Sequence, residues 1–458
     1  MDSTLRRSGV AGRFFPGDPA TLHQTVDDLL AESGRTVDTV PTRPRAVISP
    51  HAGYPYSGVL TATALRMSAG HDIARVVILS PAHRHAFAGI AVPSQAGYAL
   101  PGMSLAIDRT ACDGLVQAGH AVLLDAAHDL EHGIETQLPF LHALHPNARI
   151  VPLVVGEAPV AQVAAAIDHL AADDTDHTLF VLSSDLSHFL TRDAARVRDA
   201  ATSEKIETGD YAALTGQDAC GAGGIAGYLA SNTGSGARAL RLGMRTSYDT
   251  TGDASRVVGY GAWSLHAPGD AMLAKGPRSD LLRVAREALS DRVNRGGASQ
   301  RAERGYSPQL QSFAASFVTL EKDGQLRGCI GSIAPRAPLV RDVAENTCKA
   351  GFSDPRFGPV VTGELAAIRI KLSVLSRPAR LRFDGETEAR GALVSGETGA
   401  ILIDGRHRGV FLPQVWDSLP EPQDFLNALK RKAGLPDSHW SEAVELHLFR
   451  GEVFGEAA

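Results

Sequence analysis

Three apolar runs in the first half of the chain end in the same way, and they restrict the fold more than any other feature. Val47-Ile48-Ser49-Pro50-His51 and Val76-Val77-Ile78-Leu79-Ser80-Pro81-Ala82-His83 each stop at a proline and then present a histidine. Proline has no N–H to continue a ladder, so it marks the strand end. The third run, Leu179-Phe180-Val181-Leu182-Ser183-Ser184-Asp185-Leu186-Ser187-His188, ends on serines and then offers an acid and a histidine. Short runs that are apolar on both faces are the strands of a covered, mostly parallel sheet. In such sheets ligands collect in the crevice beyond the carboxyl ends of the strands. His51, His83, Asp185 and His188 are therefore expected to converge on one site from distant segments.

The runs at 46–49, 75–80, 88–92, 149–155 and 178–183 alternate with helical patterns over 159–172 and 194–208, which predicts an α/β layered fold. Leu240–Ser247 and Val257–Leu265 have no helix between them and predict an antiparallel pair at the sheet edge, so the sheet is expected to be mixed. A chain of 458 residues is long for one core. Fourteen of the 17 histidines precede residue 268, and Pro and Gly cluster at 266–277. We place a first domain at 1–268, a linker at 269–277 and a second domain at 278–458. The second domain reads as α+β. Its expected elements are a helix capped by Ser279, a hairpin turning at Asp323-Gly324, a helix from Pro338, strands at 366–375 and 399–412, a helix at 423–432 and a last strand at 443–449.

The formal net charge is −6, divided as −8 over 1–268 and +2 over the remainder, which argues against nucleic acid or an anionic membrane as partner. Cys112, Cys220, Cys329 and Cys348 stand far apart, as expected of reduced thiols in a cytoplasmic protein. No apolar signal region follows the N-terminal residues, and no run of 18 apolar residues occurs.

His51 and His83 have the chemistry of metal ligands, since neutral imidazole binds Fe, Cu and Zn, and His85 competes with His83. His128-Asp129-Leu130-Glu131-His132-Gly133-Ile134-Glu135 precedes a helical pattern carried by Ile134, Leu138, Leu141 and Leu144. There His132 lines the pocket or is an ordinary loop residue. Polar groups at such a helix start can face a site, or else Glu131 and Glu135 complement the helix dipole and His128 is solvated. Asp185 and His188, three residues apart on a helical turn or tight loop, suit acid/base chemistry, although Asp185 alone also suits a helix cap. Cys220 is either an inert buried thiol or a thiolate favoured by a Gly/Ala-rich helix that Asp218 caps. In the second half, Arg327 is a candidate for binding a carboxylate or phosphate, Arg356 is a candidate exposed arginine, and Cys329 lacks a base nearby in sequence.

With these motifs together, residues 11–263 resemble the Memo family, also called AmmeMemoRadiSam system protein B, through "SPHAGYPYSG", "LSPAHRHAF", "DLEHGIETQLPFL", "LSSDLSHF" and "ACGAGGIAGYL". Residues 278–455 resemble the AMMECR1 family, system protein A, through "LRGCIGSI", "FSDPRF", "FLPQVW" and "FLNALKRKAGL". The first resemblance implies a class III extradiol dioxygenase-like fold. It also implies metal ligands His51, His83 and Cys220, with Asp185 and His188 beside the metal and His188 as general acid/base. The system name implies a radical SAM protein as partner. "ACGAGG" departs from the polar residues often found after this Cys-Gly.

The expectation is a mononuclear non-haem metal enzyme of the oxidoreductase or dioxygenase type, holding Fe(II), with copper or zinc as alternatives. It would act on a small aromatic or chelating molecule, with His188 moving protons and Asp185 and His132 orienting the ligand. The competing expectations are a non-catalytic metal- or peptide-binding adaptor and a zinc-dependent hydrolase.

Overall fold

The computed structural model describes residues 5–37, 39–172, 176–296 and 305–456. The chain divides into two compact units. One comprises residues up to Gly234 together with Ala239–His266, and the other comprises Ser235–Arg238 and Ala267–Ala458.

The first unit is built on a nine-stranded mixed sheet. Its strands are β1 (Ala46–Ser49), β2 (Arg75–Pro81), β3 (Ile90–Val92), β4 (Val122–Leu123), β5 (Arg149–Val155), β6 (Thr178–Ser183), β7 (His188–Leu190), β8 (Arg238–Thr246) and β9 (Val257–His266). Their order is β7-β9-β1-β6-β2-β5-β3-β4, and β8 also pairs with β9. The centre, β1-β6-β2-β5, is parallel. β9 runs antiparallel to β1 and β7, and β3 antiparallel to β5. The residues of β1 and β6 are all buried, as are Val76 to Ser80 of β2, because both faces are covered. Helices Val160–Ala171 and Arg192–Thr208 lie where the sequence pattern predicts them. A second sheet of three strands, Leu5–Arg7, Gly97–Leu100 and Met103–Ala106, completes this unit.

Around 132–144 the chain forms two short helices, His132–Glu135 and Leu138–Leu144, rather than one. Pro139 sits in the first turn of the second, where its missing N–H leaves no bond unmade. The bond that would have continued the first helix is thereby lost.

The second unit has two four-stranded sheets and is α+β. Strands Ala315–Lys322 and Gln325–Gly331 form the expected hairpin, turning through Asp323 and Gly324 at φ of 51° and 76°, the pair of left-handed residues that a type I′ turn requires. Three expectations need correction. The helix Lys275–Arg295 starts four residues before Ser279, whose hydroxyl donates to the Lys275 carbonyl instead of capping, so Lys275-Gly276-Pro277 form its first turn. The run 399–412 is two antiparallel strands, Gly399–Asp404 and His407–Phe411, because Gly405 turns the chain at φ 57°. The strand Glu445–Phe449 is followed by another, Gly451–Gly455.

Helix Ala222–Ala230 packs on helix Val160–Ala171 so closely that a Cβ on Gly227 would lie 2.3 Å from Val163 Cγ1. Gly227→Ala should therefore cost about 1–3 kcal/mol through overpacking. Gly34 in helix Pro19–Thr36 has open space around it, and Gly34→Ala should gain about 0.5–1 kcal/mol from helix propensity. Urea denaturation of the full chain should show opposite signs for the two variants.

Candidate metal centre

β1, β6 and β2 are parallel neighbours in register, Ile48 beside Leu182 and Leu182 beside Leu79. Each then continues two residues beyond its last strand position, to His51, Asp185 and His83 respectively. Counted from that aligned row, His51 and Asp185 lie three residues on and His83 four, which puts these groups on one edge. Cys220 comes from the other direction, in the turn before helix Ala222–Ala230. Its own N–H donates to the Asp185 carbonyl at 3.2 Å, and the N–H of Gly221 donates to Ser184 Oγ at 2.9 Å. A Cβ on Gly221 would stand 2.5 Å from the Ser183 carbonyl oxygen, so the close approach needs glycine. His51, His83 and Cys220 consequently offer donor atoms all within 4.8 Å of one another, and His83, Glu131 and His132 form an overlapping group.

The hydrogen bonds fix which imidazole nitrogen carries the proton. Ser183 Oγ donates to the Gly133 carbonyl at 2.6 Å. Having one proton, it accepts at 2.8 Å from His51 Nδ1–H. The lone pair of His51 is then on Nε2, which lies 3.3 Å from Cys220 Sγ. The Glu131 carboxylate accepts both the His83 Nδ1–H and the His83 backbone N–H at 2.8 Å, leaving His83 Nε2 as its lone-pair nitrogen. Both imidazoles thus keep their second nitrogens for another partner, as histidines that could hold a metal ion do.

Burial, and then the neighbouring His83, lowers the His51 pKa to about 3, and burial with His51 and His83 lowers that of His132 to about 3. Burial pushes the Cys220 thiol up to about 12, with Asp185 adding to the effect. Burial thus holds His51, His132 and Cys220 in their neutral forms.

The family model for Memo-like protein matches residues 6–264. The chain belongs to the Memo-like family. Its C-terminal part is an AMMECR1 domain, matched over residues 282–454. A MEMO1 family protein of Methanothermobacter thermautotrophicus is 31% identical over 273 residues, covering 56% of this chain and 98% of that protein. Another, from Methanobrevibacter smithii, is 32% identical over 276 residues with the same coverage. A protein of Methanopyrus kandleri is 36% identical over 185 residues, covering 38% of this chain and 86% of its own length. Among solved structures, an uncharacterized protein from Pyrococcus horikoshii is similar at 29% identity, covering 40% of this chain and 93% of its own, with a TM-score of 0.38.

The remaining residues of the Memo-like unit fall around this cluster. The His132 ring lies 4.3 Å from that of His83 and 5.2 Å from that of His51, and its Nδ1 is buried with no hydrogen-bond partner. Asp185 is in a tight loop and caps no helix. Its carboxylate accepts the His51 N–H at 2.9 Å and lies 4.0 Å from His51 Nε2, and burial raises its pKa. His188 is half-buried on the short strand β7, opposite Val258. The register shifts between His188 and Leu190, and Phe189 between them takes φ 61°. His85 is exposed and outside the cluster.

Two expectations fail here. Asp218 does not cap helix Ala222–Ala230, because its carboxylate accepts from Lys205 Nζ and from Thr215, each at 2.9 Å. His128 is buried rather than solvated, with Nε2 bonded to the Ala91 carbonyl and Nδ1 to the Tyr98 hydroxyl. Glu131, Ser183 and Gln137 are the residues that sequence reasoning missed as parts of the site. Glu131 accepts the Gly133 N–H as expected of a residue at a helix start, but its main partner is 48 residues away. In the AMMECR1 domain, the Arg327 guanidinium already grips the Glu364 carboxylate at 2.9–3.1 Å, and Arg356 grips Asp354. No described helix is long and apolar enough to cross a membrane.

Because the folded-state pKa values of His51 and His132 are lowered, the unfolded chain binds more protons than the folded one between their ordinary value near 6.5 and about 3. Stability in the presence of a chelator should fall as pH drops through this window, by up to about 1.4 kcal/mol per pH unit for each histidine. His132→Gln should flatten the slope between pH 7 and 4.5 in urea denaturation, and an unchanged slope would contradict the assignment.

Proposed function

We propose that the Memo-like unit is a mononuclear non-haem metal enzyme, holding one ion, iron(II), through His51 Nε2, His83 Nε2 and Cys220 Sγ. The observation that carries this is the pair of imidazoles whose Nδ1 protons are committed to Ser183 and Glu131, while their other nitrogens join one half-buried thiol in a single group. The buried His51 Nε2 has only the Cys220 sulfur, at 3.3 Å, as a partner, a weak one that a cation shared by all three groups would replace. The ion, when bound, would supply Lewis acidity and redox chemistry toward dioxygen and a small aromatic or chelating substrate.

The chain's own groups do the rest. Asp185, held by the His51 N–H, is a buried carboxylate of raised pKa that can carry or accept a proton beside the bound molecule. His132 packs at a tilt between Phe14 and His83 and so would orient a molecule held beside the cluster. His188, half-buried and making no hydrogen bond of its own among the described residues, is the group free to move a proton to or from the substrate.

A second reading, zinc-dependent hydrolysis, is favoured by the thiol in the donor set, which suits zinc as well as iron or copper. Anaerobic purification followed by metal analysis and oxygen uptake with a panel of catechols separates the two. One metal ion per chain is expected, and His51→Ala or His83→Ala should abolish binding, whereas retention at wild-type affinity in both would remove them as ligands. His188→Ala should keep the metal and lose about 10²- to 10⁴-fold in turnover, while Cys220→Ala should lose both. Full activity in His188→Ala would sink its acid/base role.

A further inference from the structure

Arg245 in β8 differs from the other well-covered arginines of its unit. Arg6 is paired with Glu135 and Arg241 with Glu207. Arg245 is half-buried, makes no hydrogen bond or ion pair among the described residues, and has its Nε shielded from water with no partner. Its place in the sheet bears on the metal centre. Ser247 donates its N–H to the Val258 carbonyl at 2.9 Å, and its Oγ accepts the Val258 N–H at 3.1 Å. Continuing this pairing two residues back along β8 and two forward along β9 brings Arg245 beside Tyr260, and Arg245 is among the groups close enough to act on the ionisation of that tyrosine. Val258 is also the cross-strand partner of His188.

This part of the sheet also meets the helix Tyr54–Arg66, which begins three residues after His51. A Cβ on Gly243 would lie 2.8 Å from Leu60 of that helix, and Thr250 Oγ1 donates to the Pro55 carbonyl at 3.1 Å. Arg245, Tyr260 and His188 therefore lie on the side of the sheet where the chain leaves His51. Burial raises the Tyr260 pKa so that the phenol remains a neutral donor, and Asp185, Tyr56 and Arg245 are near enough to act on it, in agreement with this placement.

We propose that Arg245, with the Tyr260 hydroxyl beside it, binds a carboxylate of the molecule held at the His51, His83 and Cys220 centre, an inference that rests on the metal reading above. A partly desolvated guanidinium without a counter-ion is unfavourable, and a planar carboxylate matches its fork with two parallel hydrogen bonds. A single negative charge fits better than a phosphate dianion, because Asp185 stands near the same tyrosine. The substrate would then carry a chelating group at one end and a carboxylate at the other.

The test is isothermal titration of the full chain loaded with zinc, a redox-silent ion, against catechol, protocatechuate, homoprotocatechuate and dihydrocaffeate, each acid paired with its amide. At least one acid should bind about tenfold or more tightly than its amide. Arg245→Gln should erase that preference with zinc content and circular dichroism unchanged, and Arg245→Lys should keep only part of it. Equal binding of acid and amide at every length, or a preference that survives Arg245→Gln, overturns the proposal. Should Arg245→Gln fail to fold, an Arg245→Lys variant that keeps the full preference also overturns it. Catechol binding without any acid preference would leave the metal reading intact. An Arg245-dependent acid preference equal in zinc-free protein would keep this site and sink the metal reading, and no binding at all would sink both.

Discussion

The one proton of the Ser183 hydroxyl decides how His51 is presented. Because that proton goes to the Gly133 carbonyl, Ser183 must accept from His51 Nδ1 and receive Gln137 Nε2–H as well, at 3.3 Å. Gln137 in turn donates to the Pro50 carbonyl and accepts from Ser49 Oγ. The last residue of β1, the last residue of β6 and the short helix His132–Glu135 are thereby tied into one buried network. A fully satisfied network of this kind has a single arrangement, since each reversal leaves a buried polar group unpaired.

Everything else at the site depends on backbone approaching backbone closely enough for that network to close. A Cβ on Gly133 would meet Ser80 Oγ at 2.2 Å and come within 3.3 Å of His51 Nδ1. Gly133 is thus the point at which β2, β1 and the helix start come together, and Gly221 does the same on the Cys220 side. Neither glycine needs a left-handed φ. Both are required by contact.

Much of this was legible in the sequence because it follows from strand ends. The apolar runs at 46–49, 149–155 and 178–183 are strands with those bounds, and after the first and the last of them Pro50 and Ser184 lead directly to His51 and Asp185. His51, His83 and Cys220 are brought together as the motifs implied, and the Asp-Gly turn at 323–324 declared its hairpin. What was not legible was contact between distant residues. The periodicity around Glu131 describes a helix start equally well whether its carboxylate faces water or His83. Asp218 has the spacing of a cap, but the chain folds Lys205 and Thr215 onto it first. The 399–412 run hid a turn because Gly405 was read as part of a continuous apolar pattern, although Asp404-Gly405 is the same turn signal as at 323–324.

Burial acts on the two kinds of donor in opposite directions and leaves both uncharged. Desolvation disfavours imidazolium, so the His51 and His132 pKa values fall to about 3, and it disfavours thiolate, so that of Cys220 rises to about 12. The cluster is therefore compatible with a folded protein that has nothing bound, with no net charge on these three groups to repel. A divalent cation changes the balance for only one of them. The imidazoles already present lone pairs at neutral pH, whereas the thiol has to lose its proton, so binding there would release one proton per chain, from Cys220. The Asp185 N–H, directed at Cys220 Sγ from 3.2 Å, is in place to stabilise the anion that results. The same carboxylate-bearing residue thus holds the backbone of His51 through its side chain and the sulfur of Cys220 through its main chain, which links the geometry of His51 to the charge of Cys220.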